Sequence, residues 1–147
     1  MIQHVIVPTD LLKQVEDEAH AACPRECCGL LIGEWRGHTA KIFLAHPAVN
    51  IAEADDRFEI DPQAQFTLLR ALRGTAREIV GCYHSHPNGR AEPSERDGTG
   101  AAESGFLWLI CALDTGGACT IGAFVFDGGA FRPVPLIESG DEEIQNV

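Results

Sequence analysis

Hydrophobic and polar positions recur with two different periods along this chain, and each change of period marks an element. Residues 2–7 form a short apolar run that predicts a strand. Pro8-Thr9-Asp10 then opens a helix in which Leu11, Leu12, Val15, Ala19 and Ala22 share one face, and Pro24 ends it. Cys28 to Glu34 is a short apolar run that predicts a buried strand. The turn at Arg36-Gly37 leads into a second strand over residues 39–45. Residues 47–56 read as loop and Phe58-Glu59-Ile60 as a brief strand. Asp61-Pro62 supplies an N-cap and a proline in the first turn of a helix. Phe66, Leu69 and Leu72 give that helix its predicted apolar face, and Gly74 its stop. Glu78 to His86 alternates only loosely and predicts a strand entering a loop of Pro, Asn and Gly. A short helix is expected near Ser94, weakened by three glycines between 98 and 105. Strands over 106–112, 119–126 and 130–136, separated by glycine pairs, close the chain. The pattern is α/β with partly hairpin-linked strands, so a mixed sheet is expected rather than a purely parallel one.

With 147 residues, 45% of them hydrophobic, the chain suits one domain able to bury roughly 70% of its unfolded surface. No repeat, low-complexity tract or linker interrupts it, and no apolar stretch is long enough for a membrane span. Eleven Lys and Arg stand against 22 Asp and Glu, a net charge of −11. Phosphate neutralisation drives nucleic-acid binding, and basic segments drive binding to anionic membranes, so both partners are disfavoured. Six cysteines are present, but no secretory leader is visible. The expectation is therefore a cytoplasmic protein with reduced thiols that pack rather than staple.

The chemistry concentrates in His84-Ser85-His86-Pro87 and Pro93-Ser94-Glu95-Arg96-Asp97. Residues i and i+2 of a strand point to the same face about 6.5–7 Å apart, so two imidazoles can converge on one ion. Pro87 stops the strand and Asn88-Gly89 turns the chain back, bringing Asp97 into the first turn of the next helix. Two nitrogens and one oxygen suit zinc, and three protein ligands leave a fourth position for water, the arrangement of catalytic rather than structural sites. Ser94-x-x-Asp97 is equally a helix-capping pattern, and the two roles are compatible. Glu26, at the mouth of the buried strand, is either an exposed loop acid or an inward-reaching base whose pKa desolvation raises.

Together, Glu26 ahead of Cys-Gly-Leu-Leu-Ile-Gly, then Ile79 to Pro87, then Ser94-x-x-Asp97 resemble the JAMM (MPN-plus) metalloprotease motif, most of all in its small prokaryotic members. Phe58-Glu59-Ile60-Asp61-Pro62 is similar to those proteins too, and the resemblance covers residues 1–137, leaving an acidic tail over 138–147. It implies a deaminase-like α/β/α sandwich with a mixed sheet. It also implies one zinc per chain held by His84, His86 and Asp97, with Glu26 as general acid/base and Ser94 steadying the tetrahedral intermediate. The implied activity is hydrolysis of the amide bond after a C-terminal Gly-Gly of a ubiquitin-like or sulfur-carrier protein. Two alternatives are a non-catalytic MPN scaffold module, against which the filled ligand positions count, and a RadC-like domain, against which the negative charge counts. A zinc nucleoside deaminase would need a Pro-Cys-x-x-Cys pair that is absent. Cys82 and Cys28, close to the motif, are expected to pack as small hydrophobes.

Overall fold

The computed structural model describes residues 2–87, 89–94 and 106–140. β1 (His4–Pro8) leads directly into α1 (Thr9–Ala22), and the β2–β3 hairpin (Cys28–Arg36, Thr39–Ala48) follows. After a loop come α2 (Pro62–Leu72) and β4 (Glu78–His86). Four strands end the fold: β5 (Leu107–Leu113), β6 (Cys119–Asp127), β7 (Ala130–Pro133) and β8 (Leu136–Ser139). The eight strands of the described residues form one sheet in the order β7-β6-β5-β4-β2-β3-β1-β8. Pairings β1–β3, β1–β8 and β4–β5 are parallel and the others antiparallel, so the sheet is mixed as the hairpin pattern requires.

The two described helices cover opposite faces. Leu11, Val15 and Ala19 of α1 pack with Leu31, Tyr83, Leu109 and Val125 in the larger core. Leu68 of α2 packs with Leu30, Ile32, Cys82 and Trp108 on the other face. Cys82 and Tyr83 are neighbours on β4, and adjacent strand residues point to opposite faces. One irregularity explains the loose alternation of β4. Leu31 pairs with Gly81 and Ile32 with Ile79, so Val80 is an extra residue in a β-bulge. Val80 and Tyr83 thereby both reach the α1 core despite their odd spacing.

Several expectations need correction. The apolar face of α2 is built on Leu68, with Leu72 partly buried, whereas Phe66 and Leu69 are 61% and 46% exposed. Leu68 and Leu72 stand four apart, one turn on the same side, and the sheet takes that stripe. The start of α2 is as expected: Asp61 accepts a hydrogen bond from the Gln63 amide at 3.0 Å and Pro62 follows it. The brief strand at 58–60 reduces to a single bridge between Asn50 and Ile60. The single expected strand over 130–136 is two strands, β7 and β8, on opposite edges of the sheet. Val134 and Pro135 alone join them, so the sheet must curl until its edges nearly meet. Val134 is buried in the core and its amide bonds Ala123, while the Pro135 carbonyl accepts from Val5. β8 runs through Glu138 and Ser139, whose register with β1 matches Pro8 to Ser139. Residues 141–147 of the acidic tail lie outside the described residues, as does the helix expected after Ser94.

The cysteines also divide. Cys111 and Cys119, on the β5–β6 hairpin with Cα atoms 6.4 Å apart, form a disulfide, contrary to the expectation of six reduced thiols. Hairpin register brings them within bonding reach, which spacing in the sequence does not reveal. Cys23, Cys27, Cys28 and Cys82 lie outside the disulfide, and of these Cys23 is exposed and the other three are buried. No helix among the described residues is long and apolar enough to cross a membrane.

Candidate metal centre

The end of β4 is where the sheet delivers its titratable groups. His84 and His86, two residues apart on one strand face, are both buried. Antiparallel pairing pulls Glu26 in beside them. Cys28 stands opposite His84. The pairing continues past the end of β2, where the Ser85 amide donates to the Cys27 carbonyl at 3.1 Å and the Cys27 amide donates to Ser85 Oγ at 2.8 Å. The next residue out, Glu26, is thus set near His86. A side chain that would be an exposed acid on an isolated loop is only 5% exposed. Glu26, His84 and His86 each offer one ligand atom, all within 4.8 Å of one another, the set a metal ion would draw together.

The histidine rings are held in orientation. His86 Nδ1 lies 2.7 Å from the Arg90 carbonyl oxygen, so that nitrogen carries the proton and donates it, and Nε2 is left with its lone pair. His84 Nε2 and His86 Nε2 face each other at 3.0 Å. Two ligands of a tetrahedral zinc, bonded at about 2.0–2.1 Å, stand about 3.3 Å apart, so the pair is already spaced for a shared ion. The His84 ring stacks on Phe58 with centroids 4.3 Å apart and meets the edge of Trp108 at 5.5 Å. Phe58 and Trp108 also touch at 5.7 Å, closing an aromatic wall around the imidazole. Such outer partners fix ligand orientation and strengthen metal binding.

A cavity of about 310 Å3 opens onto this cluster, lined by Glu26, His86, Pro87 and Ser94 together with Pro24, Asp55 and Asp56. Ser94 is therefore brought to the same cavity as Glu26 and His86, on an exposed loop. Asp97 lies outside the described residues. A second cavity of about 380 Å3 lies on the α1 side, and Glu26 lines it too, with Glu18, Arg25, Cys27 and Cys28 among the other walls.

The nearby thiols are not poised for chemistry. Burial pushes Cys27 up from 9.0 to about 11 and Cys28 up to about 12. Burial favours the protonated form of both, so neither is an activated nucleophile at neutral pH. Cys28 Sγ points to the Ala48 carbonyl at 3.7 Å, and Cys82 sits in the apolar cluster beneath α2. Packing is what the sequence assigned to Cys28 and Cys82. Behind them Tyr83 donates its hydroxyl to Glu18 at 2.7 Å, and burial with that bond raises its pKa well above the ordinary range.

Sequence reasoning picked out the two histidines, the acid and the serine, but it assigned no role to Trp108, Ser85, Asn50 or the Arg90 carbonyl. Phe58 was part of the resemblance without a function attached. Only a strand register or a loop path brings these groups to the site, and neither leaves a local signal in the sequence.

Prokaryotic homologues of the JAB domain match residues 8–122. A desampylase of Haloferax volcanii is 34% identical over 105 residues, 71% of this chain and 74% of that protein. A probable TtuB-protein conjugate cleaving protease of Thermus thermophilus is 32% identical over 92 residues, 62% of this chain and 59% of its own length. Among solved structures, protein DSY2949 of Desulfitobacterium hafniense superposes with a TM-score of 0.84 at 24% identity, covering 93% of this chain and 94% of that one. AF2198, a JAB1/MPN domain protein of Archaeoglobus fulgidus, superposes at 0.58 with 17% identity, over 92% of this chain and all of that one (100%). Both structures share the fold. With most of its length matched and the His-x-His strand and buried acid in place, the chain belongs to the prokaryotic JAB-domain family, the small JAMM proteins of prokaryotes.

Proposed function

We propose that this protein is a zinc-dependent isopeptidase that hydrolyses the amide bond after a C-terminal Gly-Gly of a ubiquitin-like or sulfur-carrier protein, acting in the cytoplasm. The observation that carries the reading is the buried Glu26, His84 and His86 cluster at the wall of an open cavity. The names of the two relatives, a desampylase and a protease that cleaves TtuB–protein conjugates, support a protein conjugate as the substrate.

In this reading His84 and His86 would hold the zinc, with Asp97 as third ligand by the motif. When bound, the metal lowers the pKa of a water to near 7 and polarises the scissile carbonyl. Glu26 then has two duties. It takes the proton of the attacking water, and it returns that proton to the leaving amine. Its burial at the cavity wall keeps both transfers away from bulk water. Ser94 donates its hydroxyl to the oxyanion that develops on the substrate.

Two substitutions separate these roles. Glu26→Gln keeps the volume and removes the base, so hydrolysis of a Gly-Gly isopeptide should fall about 10²–10⁴-fold with zinc content unchanged. Asp97→Ala should weaken zinc binding measurably in chelator competition. Near-wild-type turnover by the first variant, or wild-type affinity in the second, contradicts the corresponding role.

A further inference from the structure

Asn50 spends every hydrogen-bonding position of its side chain on the backbone around the site. Its Nδ2 donates to the Glu26 carbonyl at 3.0 Å and to the Arg57 carbonyl at 3.1 Å. Its Oδ1 accepts from the Ala52 amide at 3.0 Å and the Glu59 amide at 3.1 Å. Two carbonyls on one side and two amides on the other leave a single orientation of the carboxamide, and a side-chain amide has no further capacity. The loop from 49 to 60 has few backbone hydrogen bonds of its own. Most of its residues are exposed, Ala52 is its one fully buried residue, and its own backbone contributes one bridge, with Ile51 bonded to Glu59 at 2.9 Å. Next to Glu26, the Arg25 guanidinium donates to the carbonyls of Asn50 and Ala52, so the same two segments are tied from both sides.

Those segments carry different halves of the site. One presents Glu26. The other presents Phe58, whose ring stacks on His84 at 4.3 Å. We propose that Asn50 is a positioning residue: it fixes the Glu26 backbone and the Phe58 loop in one frame, and so sets the acid against the His84 ring. The proposal rests on the isopeptidase reading for its kinetic consequence, but not for its structural one. A carboxylate that must reach both a water and a leaving nitrogen tolerates little drift, since about 1 Å of misplacement costs on the order of 10²-fold in rate.

The two halves of the carboxamide allow a selective test. Asn50→Asp keeps acceptors for the Ala52 and Glu59 amides and loses both donors, whereas Asn50→Ala loses everything. Wild type, both Asn50 variants and Glu26→Gln are compared as full chains, zinc-loaded, on a Gly-Gly-ending ubiquitin-like carrier joined to a lysine. Zinc affinity by chelator competition, Tm, and amide hydrogen exchange at residues 26–28 are read alongside. Asn50→Asp should cut kcat at least 10-fold with KM within threefold, a Tm within a few degrees, and faster exchange at 26–28. Unchanged kcat with unchanged exchange overturns the proposal. So does a fall in activity that merely follows a large fall in Tm and zinc content in both variants, which would make Asn50 a folding residue. If wild type itself cleaves nothing, the isopeptidase reading fails, while exchange at 26–28 still decides the role of Asn50.

Discussion

His84 illustrates how much of a side chain's setting is fixed by residues distant in the sequence. Its ring is clamped by Phe58 on one face and Trp108 at the edge, and its partner His86 is fixed by the Arg90 carbonyl. Removing the stack with Phe58→Ala should loosen zinc binding about 10–100-fold without unfolding the chain. Competition with a chromophoric chelator measures it, and an unchanged affinity would mean that the aromatic wall is only packing. At this scale the sequence was informative where chemistry is local. Histidines at i and i+2 must share a face of any strand, so the pair was legible from spacing alone. Asn50, Phe58 and Trp108 were not, because nothing local distinguishes a loop amide or a core aromatic that a distant strand will meet. Glu26 stood between: its type suggested a base, but only the pairing of Cys27 with Ser85 makes it buried.

The elements show the same division between what periodicity carries and what contacts decide. α1 and the capped start of α2 follow from their patterns, while the buried face of α2 was misjudged because two apolar stripes compete on it. Leu68 and Leu72 face the sheet, and Phe66 and Leu69 face outward. β4 reads as an irregular strand because the bulge at Val80 shifts its alternation by one residue, and no sequence rule announces a bulge. Gly81 adjoins it. A Cβ there would run into the Leu107 carbonyl and Cβ of the parallel neighbour β5, backbone that cannot move aside. Gly81→Ala should therefore cost about 1–3 kcal/mol, lowering Tm by several degrees. An unchanged melting curve would show that β4 and β5 can separate without penalty. The splitting of 130–136 into strands on opposite edges was beyond any local reading, since it depends on the curl of the whole sheet.

Three buried protonated groups lie together behind the site: the Cys27 and Cys28 thiols and the Tyr83 hydroxyl, close to Glu18. Burial raises all three pKa values, so each group loses its proton more readily in the unfolded chain than in the folded one. Their stabilising contribution is intact below about pH 9. It is lost as pH climbs from 9.0 towards about 11 and 12, the folded values of Cys27 and Cys28. Unfolding free energies from urea titrations should thus hold from pH 7 to pH 8.5 and then fall steeply, by a few kcal/mol in total. A flat profile to pH 11 would contradict their burial as protonated groups. The net charge of −11, meanwhile, names no partner. It weighs against nucleic acid and anionic membranes.

The central claim is that a metal held by the β4 histidines drives cleavage after a di-glycine. Its most direct test is one time course on a Gly-Gly-ending ubiquitin-like carrier conjugated to a second protein. It is run with the protein as purified, after chelation, and after one equivalent of zinc is returned. The account predicts cleavage after the second glycine that chelation abolishes and zinc restores. Cleavage that survives complete metal removal, or a zinc-loaded protein that leaves the conjugate intact, would contradict it.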